Sequence, residues 1–525
     1  MTGTRNPEVT EADQDAVLAF LGSGIKDGRT KRVDTHISIV FLEPTRVLKI
    51  KRAIRLPFLD YSTLDKRQRA CEEELAVNRR YAPGIYRRVV PITRGPEGFQ
   101  IGGDGPAIEW AVEMARFDES KTLDHLANAG KLSPELAEEL AEAIYDSHRH
   151  AETSEGSTWL ASIASIINRN TDKFREQASL ASELIERLHQ VSHEQLTNAQ
   201  SLLRERASGG MVRRCHGDAH LGNIVLIDNR PMLFDAIEFD PAIAITDTLY
   251  DLAFPIMDLI HFDLNAAANR LFNRYLEKSW LDNADALRLL PLFLSMRAAI
   301  RCHVLFTRCE QSGDRRAAKD VVKDAACYFD LALRFLKPSR PSLIAIGGKS
   351  GTGKSALARD AAALIGVPPG AVILRSDVIR KDLFGVDPLV TLPRGAYAPE
   401  VNERVYRALN ERAGQVIAQG YSVIIDAAFL REFERDKLSM EAARLGADFR
   451  PIFLTAELDV RLSRVASRRH DASDATGEVA RGQEDDDVGG LDWPLVDASG
   501  SPRQTLERST ALLAPVRISL REDTQ

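Results

Sequence analysis

Cysteine is scarce in this 525-residue chain. There are five, Cys71, Cys215, Cys302, Cys309 and Cys327, and no C-x-x-C pair. That argues against a disulfide framework and predicts reduced thiols in a cytoplasmic protein. No unbroken run of about 18 apolar residues occurs, which argues against a membrane span. Met1 to Glu8 holds no apolar signal core. Positive charge is not in excess: 69 Lys and Arg against 76 Asp and Glu leave a formal net charge of −7. General attraction to nucleic acid or to anionic membranes is therefore not expected, although a local basic site is compatible with this balance. His148 and His150 are two apart on a predicted helix, so they do not share a face as a metal-binding pair would. No internal repeat is found. The composition that remains, 44% hydrophobic and 28% charged, is that of a soluble globular chain of about two to four domains.

The strongest positive signal is Gly348-Lys349-Ser350-Gly351-Thr352-Gly353-Lys354-Ser355, which fits the pattern G-x-x-x-x-G-K-[ST]. The apolar run from Ser342 to Gly347 reads as a buried strand, and Ala356 to Ile365 reads as a helix. This is the context the pattern needs. The glycines let successive backbone N–H groups turn inward around a polyphosphate, and the helix N-terminus adds partial positive charge. Lys354 is then placed for the β- and γ-phosphates and Ser355 for Mg²⁺, so ATP with Mg²⁺ is the expected cofactor.

A second nucleotide site is expected upstream. In the segment His216 to Asn223, Asp218 and Asn223 have the separation found in H-R-D-x-x-x-x-N. There the Asp takes the proton of the attacking hydroxyl and the Asn binds a metal. A strand-like run, Pro231 to Phe234, then delivers Asp235 in the position of a metal-binding acid. The triplet D-F-G is absent, since the sequence reads Phe234-Asp235-Ala236-Ile237-Glu238; Glu238 is a candidate second acid. This ordered set resembles the aminoglycoside phosphotransferases and their protein-kinase-like relatives. The resemblance implies that Asp251, in Asp247 to Ala253, braces the catalytic loop.

The resemblance continues toward the N-terminus. Arg46 to Lys51 looks like the strand that carries the ATP-pairing lysine, with Lys49 in the V-A-I-K position. Lys51 has the same strand parity and remains a competitor. The acid-rich helix from Gln68 to Tyr81 offers Glu74 as the lysine's partner, with Glu73 as the alternative. Trp110 to Phe117 resembles the strand and hinge that contact adenine. No G-x-G-x-x-G covers the phosphates in this half, and Thr35-His36-Ile37-Ser38 occupies that turn. Further helices are expected from Pro134, capped by Ser133, across 159–207 and across 245–336. Arg297 and Arg301 share a face in the last of these, either toward substrate or toward solvent or a salt-bridge partner.

Lys337-Pro338-Ser339-Arg340-Pro341-Ser342 reads as a linker, because two prolines in six residues interrupt the preceding helix. The expected domains are 1–336 and 343–525. The first is an α+β, two-lobed, kinase-like domain, and the second is an α/β domain whose alternating strands and helices imply a parallel sheet. Asp377 and Asp426 each fall at a predicted strand end, the edge where ligands collect in such sheets. Asp377 with Arg380 resembles the S-D-x-x-R element of small P-loop kinases, including sugar-acid, polynucleotide and zeta-toxin kinases. This implies that Asp377 contacts or deprotonates the acceptor hydroxyl and that Arg380 holds the acceptor or a phosphate. Asp426 resembles the acid that holds the Mg²⁺ water shell. Arg461, Arg464 and Arg468 have helical spacing and resemble lid arginines that neutralise the transferring group. Arg464 and Arg468 are the preferred pair, with a solvated basic face as the alternative. Asp471 to Asp492 reads as a mobile loop of the lid or its hinge.

As a whole the chain resembles bacterial bifunctional fusions of an aminoglycoside-phosphotransferase-like kinase with a P-loop (AAA/zeta-toxin-like) kinase. The resemblance implies transfer of the γ-phosphoryl group of ATP to a hydroxyl of a small molecule, such as a sugar, an amino sugar or an aminoglycoside. It does not select among them. Two other readings stay open. The P-loop half could act on a nucleotide or a nucleic-acid 5′-hydroxyl, which needs a basic channel with stacking aromatics; Arg394, Tyr397 and Tyr406 are the nearest candidates, and they are scattered. Alternatively, one half is an ATPase that regulates the other.

Overall fold

The computed structural model describes residues 11–56, 59–311, 315–468 and 471–513; the amino-terminal segment read for a signal core lies outside them. Two compact units result. One combines the chain up to Ile166 with Gln200–Asp258, and the other combines Ile167–Ala199 with the chain from Leu259 onward.

The first unit is built on a six-stranded antiparallel sheet. In chain order its strands are β1 (Lys31–Asp34), β2 (Ser38–Leu42), β3 (Arg46–Lys51), β4 (Tyr86–Gly95), β5 (Gly98–Ile101) and β6 (Ala107–Ala115). In space they run β1-β2-β3-β6-β4-β5. Helix α1 (Leu64–Asn78) begins where the Thr63 side chain accepts a hydrogen bond from the Lys66 amide. Val47, Cys71, Ile85 and Val112 form a buried cluster between α1 and the sheet. Helix α2 (Pro134–His150) starts with Ser133 as its cap and proline in its first turn, as the sequence predicts. Two short antiparallel strands, β7 (Ile224–Ile227) and β8 (Arg230–Leu233), follow the 216–223 loop. Asp251 lies on α3 (Thr248–His261).

The second unit holds a five-stranded sheet, all parallel. Its elements, after α4 (Asn265–Lys278), are β9 (Ser342–Gly348), α5 (Lys354–Ala362), β10 (Val372–Arg375), α6 (Ser376–Leu383), α7 (Pro399–Ala418), β11 (Val423–Asp426), α8 (Glu432–Arg444), β12 (Asp448–Thr455), α9 (Leu458–Ser467), α10 (Gly477–Gly482), β13 (Leu495–Asp497) and α11 (Pro502–Leu513). The spatial order is β10-β11-β9-β12-β13. Every residue of β9 is buried. Ile344, Ile346, Ile424, Ile452 and Leu454 pack on Leu357, Ala358 and Ala361 of α5. Each fully buried large aliphatic side chain is worth about 1.5–3 kcal/mol. This packing fixes the phosphate loop between β9 and α5.

The expected boundary at 337–342 is irregular chain up to Pro341, with Ser342 opening β9, but it lies inside the second unit, where segments on both sides pack together. Phe272 of α4 meets Tyr421 with ring centroids 5.7 Å apart, and Arg412 of α7 sits 4.8 Å over the Trp280 ring. Separating the two sides at the linker would therefore expose a packed face. Trp280–Glu310 is long and apolar enough to cross a membrane (mean hydropathy 1.5), but 72% of that window is buried inside the protein, as in a core helix. A search for unbroken apolar runs misses it because charged residues interrupt it. Arg297 within it is buried and Arg301 lies 5.9 Å over the Tyr328 ring, so these arginines do not form a solvated face.

Candidate active sites

In the first unit, helical geometry puts Glu74 and Asn78 on one face of α1. Glu74 is fully buried, with one oxygen 2.8 Å from the Lys49 ammonium and the other 2.6 Å from that of Lys51. Lys49 also meets Asp235 at 2.5 Å, and Lys51 pairs with Glu238. The two lysines thus share Glu74 and divide the other acids between them. Lys49 faces the acid predicted for the metal, and Lys51 is enclosed behind it. Glu73 points elsewhere, to Arg214 at 2.7 Å.

The electrostatics follow from this arrangement. Burial pushes Asp235 up, but the Lys49 charge outweighs it and holds the carboxyl below its ordinary range. Burial likewise opposes ionisation of Glu74, and its two ammonium neighbours reverse that effect. For Glu238 burial wins, and its carboxyl lies above the ordinary range. Burial pulls Lys49 down, while Asp235 and then Glu74 drive it well above the usual lysine range.

The loop 216–223 is stitched to its surroundings. Asn223 donates from Nδ2 to the Asp218 carbonyl (2.9 Å) and to Asp218 Oδ2 (3.1 Å). His216 Nε2 donates to the Phe234 carbonyl (3.0 Å), and the Phe234 amide donates to the Asn223 carbonyl (2.9 Å). Asn78 Oδ1 accepts from the Ala236 amide at 2.7 Å, so the helix that carries Glu74 also holds the Asp235 segment. Asp235 itself adopts φ = 60°, a strained value for a residue with a side chain. Asp251 Oδ1 accepts the Gly217 amide (2.9 Å), and its Oδ2 lies 3.1 Å from His148 Nε2. His148, Cys215 and Asp251 lie within metal-ligand reach of one another, but these hydrogen bonds already account for the buried carboxylate.

In the second unit, Gly348, Gly351 and Gly353 all have positive φ. A Cβ on Gly351 would fall 2.6 Å from the Arg461 carbonyl oxygen, and one on Gly348 would fall 2.6 Å from that of Leu454. Only glycine fits this cradle. Lys354 Nζ donates to the Gly348 (2.8 Å) and Lys349 (3.1 Å) carbonyls, and burial pulls its pKa below the ordinary lysine value. Thr352 donates its hydroxyl to the Lys349 carbonyl, and the Ser350 amide donates to Gln483 Oε1 at 2.7 Å. Ser355 Oγ donates to Asp426 Oδ2 at 2.5 Å. A glycine cradle, one lysine and a hydroxyl–carboxylate oxygen pair suit a polyphosphate with Mg²⁺.

Several predicted details change. Asp377 is not a strand-end residue: β10 stops at Arg375, and Asp377 is the second residue of α6, where burial pushes its carboxyl above the ordinary range. Arg380 is buried, donates to the Ala396 carbonyl (2.8 Å) and lies 4.7 Å under the Tyr397 ring. The three arginines do not form one helical face. Arg461 is buried against Glu484 (2.5 Å), and Arg464 donates to the Thr352 (3.2 Å) and Gly500 (2.6 Å) carbonyls. Arg468 lies just past the end of α9. The Asp471 to Asp492 segment, expected as a loop, contains α10 and is hydrogen-bonded to neighbouring elements. Asp471 meets Arg375 at 2.8 Å, and Asp474 accepts from Lys381 (2.8 Å), the Tyr397 hydroxyl (2.5 Å) and the Leu392 amide (3.0 Å). Arg375, which sequence reading passed over, also lies 3.3 Å from Ser355 Oγ and 3.4 Å from Asp426. A cleft of about 950 Å³ between α7 and α8, lined by Glu403, Arg407, Glu411 and Lys437 among others, includes the candidate stacking residue Tyr406 but none of the predicted catalytic, nucleotide-binding or metal-binding residues.

Residues 43–290 match the Phosphotransferase enzyme family, and residues 343–486 match an AAA domain. The chain is an ATP-dependent phosphotransferase with two kinase-type domains. It is similar along most of its length to an uncharacterized protein of Mycobacterium tuberculosis, 27% identical over 460 residues, 85% of this chain and 88% of the relative. Among solved structures, a choline kinase from Cryptosporidium parvum Iowa II is 12% identical, covering 61% of this phosphotransferase and 95% of that chain at a TM-score of 0.37. A gluconokinase from Sinorhizobium meliloti 1021 is 21% identical, covering 34% and 93% at a TM-score of 0.24.

Proposed function

We propose that both halves transfer the γ-phosphoryl group of Mg·ATP to a hydroxyl of a small molecule. The observation that carries this reading is a similar arrangement met twice: in each half a partly buried lysine lies beside oxygen groups suited to a metal. In one half Lys49 meets Asp235 at 2.5 Å. In the other Lys354 lies on the glycine cradle next to the Ser355–Asp426 pair. When bound, Mg²⁺ supplies charge neutralisation at the phosphates.

The chain's own residues do the rest. Glu74 orients Lys49 toward the α- and β-phosphates, and Asn223 and Asp235 offer the metal ligands. Asp218 takes the proton of the acceptor hydroxyl. In the other half the cradle amides and Lys354 hold the phosphates, Ser355 and Asp426 offer oxygen to the metal, and Asp377 receives the acceptor proton. Arg464 and Arg468 contribute positive charge at the loop, and Arg380 supports the acceptor side through Tyr397. A raised carboxyl suits Asp377 for proton transfer nearer to neutral pH. A nucleic-acid acceptor is disfavoured because its two candidate stacking rings are engaged. Tyr397 covers Arg380, and the Tyr406 hydroxyl accepts the Phe429 amide at 3.0 Å.

The test is a mass-spectrometric screen for metabolites that gain a phosphate in the presence of Mg·ATP, run on the full chain and on Asp218→Asn and Lys354→Ala. Each substitution is expected to remove a different set of phosphorylated products and to leave the other set. If neither changes the products, or if ATP is consumed with no acceptor phosphorylated, the reading fails.

A further inference from the structure

Strand β10 is the edge of the parallel sheet, and it leads directly into Arg375, Ser376 and Asp377. An edge strand presents alternate N–H and C=O groups that need partners. The Val372 amide points inward and donates to the Ser422 carbonyl at 2.9 Å. The outward groups of its neighbours are taken by a side chain. Asn273 Oδ1 accepts the Ile373 amide at 2.7 Å, and Asn273 Nδ2 donates to the Ala371 carbonyl at 3.1 Å. One carboxamide thus takes the place of one peptide group of a sixth strand.

Asn269, one helical turn earlier on α4 and fully buried, donates to the Pro369 and Ala371 carbonyls (both 3.1 Å). Its Oδ1 accepts from Asn273 Nδ2 at 3.0 Å. Gly370 makes room for this: its φ is 114°, and a Cβ there would fall 2.8 Å from Asn269 Nδ2. Both asparagines lie inside the stretch that matches the Phosphotransferase enzyme family, far outside the AAA match.

We propose that Asn273 is a positioning residue for phosphoryl transfer at the phosphate loop, supplied by the kinase-like half of the chain. By clasping Ala371 and Ile373 it sets the register and height of β10. Those in turn fix Arg375 against Ser355 and Asp426 and place Asp377 on the same edge. The phosphate cradle itself hangs from β9 and α5, so nucleotide binding does not depend on the clasp. This inference rests on the reading of Asp377 as the acceptor base.

The experiment uses the full-length chain in an Asp218→Asn background, with Mg·ATP as substrate and water as the surrogate acceptor. Turnover that Lys354→Ala removes in this background defines the phosphate-loop activity. Asn273→Ala is expected to lower that kcat by about ten- to a hundred-fold while moving half-saturation by Mg·ATP by less than about twofold. Amide exchange in the peptide spanning 371–375 should quicken. Trp280→Ala, which removes the ring beneath Arg412 of α7, is expected to leave turnover unchanged. Equal losses from Trp280→Ala and Asn273→Ala, or quickened exchange with undiminished kcat, would overturn the proposal. If Asn273→Ala does not fold, Asn273→Asp decides. It keeps an acceptor for the Ile373 amide but places an anion against the Ala371 carbonyl, and undiminished kcat there also overturns the proposal. If Lys354→Ala removes no turnover, the phosphate-loop reading itself falls and takes this inference with it.

Discussion

Replacing Lys51 by methionine tests whether the inner lysine of the first unit is structural. The Lys51 and Glu74 side chains are wholly buried, and that of Glu238 is 5% exposed. Removing the cation leaves Glu74 with Lys49 at 2.8 Å and deprives Glu238 of its ammonium partner. Breaking a buried pair from one side costs about 3–5 kcal/mol, because a charge stays behind without compensation. Glu238, already held above the ordinary carboxyl range by burial, then takes up a proton and recovers part of that loss. Lys51→Met with Glu238→Gln removes one cation and one anion together. The double variant should therefore be more stable than the sum of the singles by about 0.5–3 kcal/mol. The chain has two compact units, so one global unfolding midpoint is the wrong measure. Native-state hydrogen exchange over Arg46–Lys51 and Leu64–Asn78 reads the local opening energy instead. Lys49→Met is the contrast, since Lys49 faces Asp235, and it should lower kcat/KM for ATP by about a hundredfold or more. A Lys51→Met loss below about 1 kcal/mol, or strict additivity in the double variant, would refute the argument.

Two further outcomes are expected. Asp377 has a raised carboxyl pKa, so its contribution to stability is intact below the unfolded value and is lost as pH rises through the folded one. Asp377→Asn, which mimics the protonated form, should raise the unfolding midpoint of the unit that holds the parallel sheet at pH 7 and have little effect on it near about pH 3 while removing phosphate-loop transfer; stabilisation of equal size at both pH values would contradict this. A fragment starting at residue 343 lacks Asn269, Phe272 and Asn273 and should melt well below one starting at Leu259. A difference under about 2 °C would refute the packing argument, since about 1 kcal/mol shifts a domain of this size by roughly 2–4 °C.

Much of both sites was legible because the chemistry is local in sequence. The phosphate loop needs positive φ at fixed offsets, a lysine and a hydroxyl within eight residues, and a strand and helix on either side. Asp218 and Asn223 belong to one turn, and Asp235 follows one hairpin later. Strand parity put Lys49 and Lys51 on the same face, and for that reason could not choose between them. What distinguishes them is Glu238, which pairs with Lys51 from 187 residues away. The same holds for Arg375 with Asp471, 96 residues apart, for Ser350 with Gln483 at 133, and for Asn273 with Ile373 at 100. The helical spacing of Arg461, Arg464 and Arg468 placed the helix a residue too far, since α9 ends at Ser467, and it gave no sign that Arg461 would be buried against α10 while Arg464 reaches the phosphate loop. Proline punctuation at 337–342 marked a real break in secondary structure but carried no information on which surfaces close over it. Short-range patterns are set by backbone geometry and are written in the sequence. Which distant side chain neutralises a buried charge or completes an edge strand is decided only when the chain closes on itself.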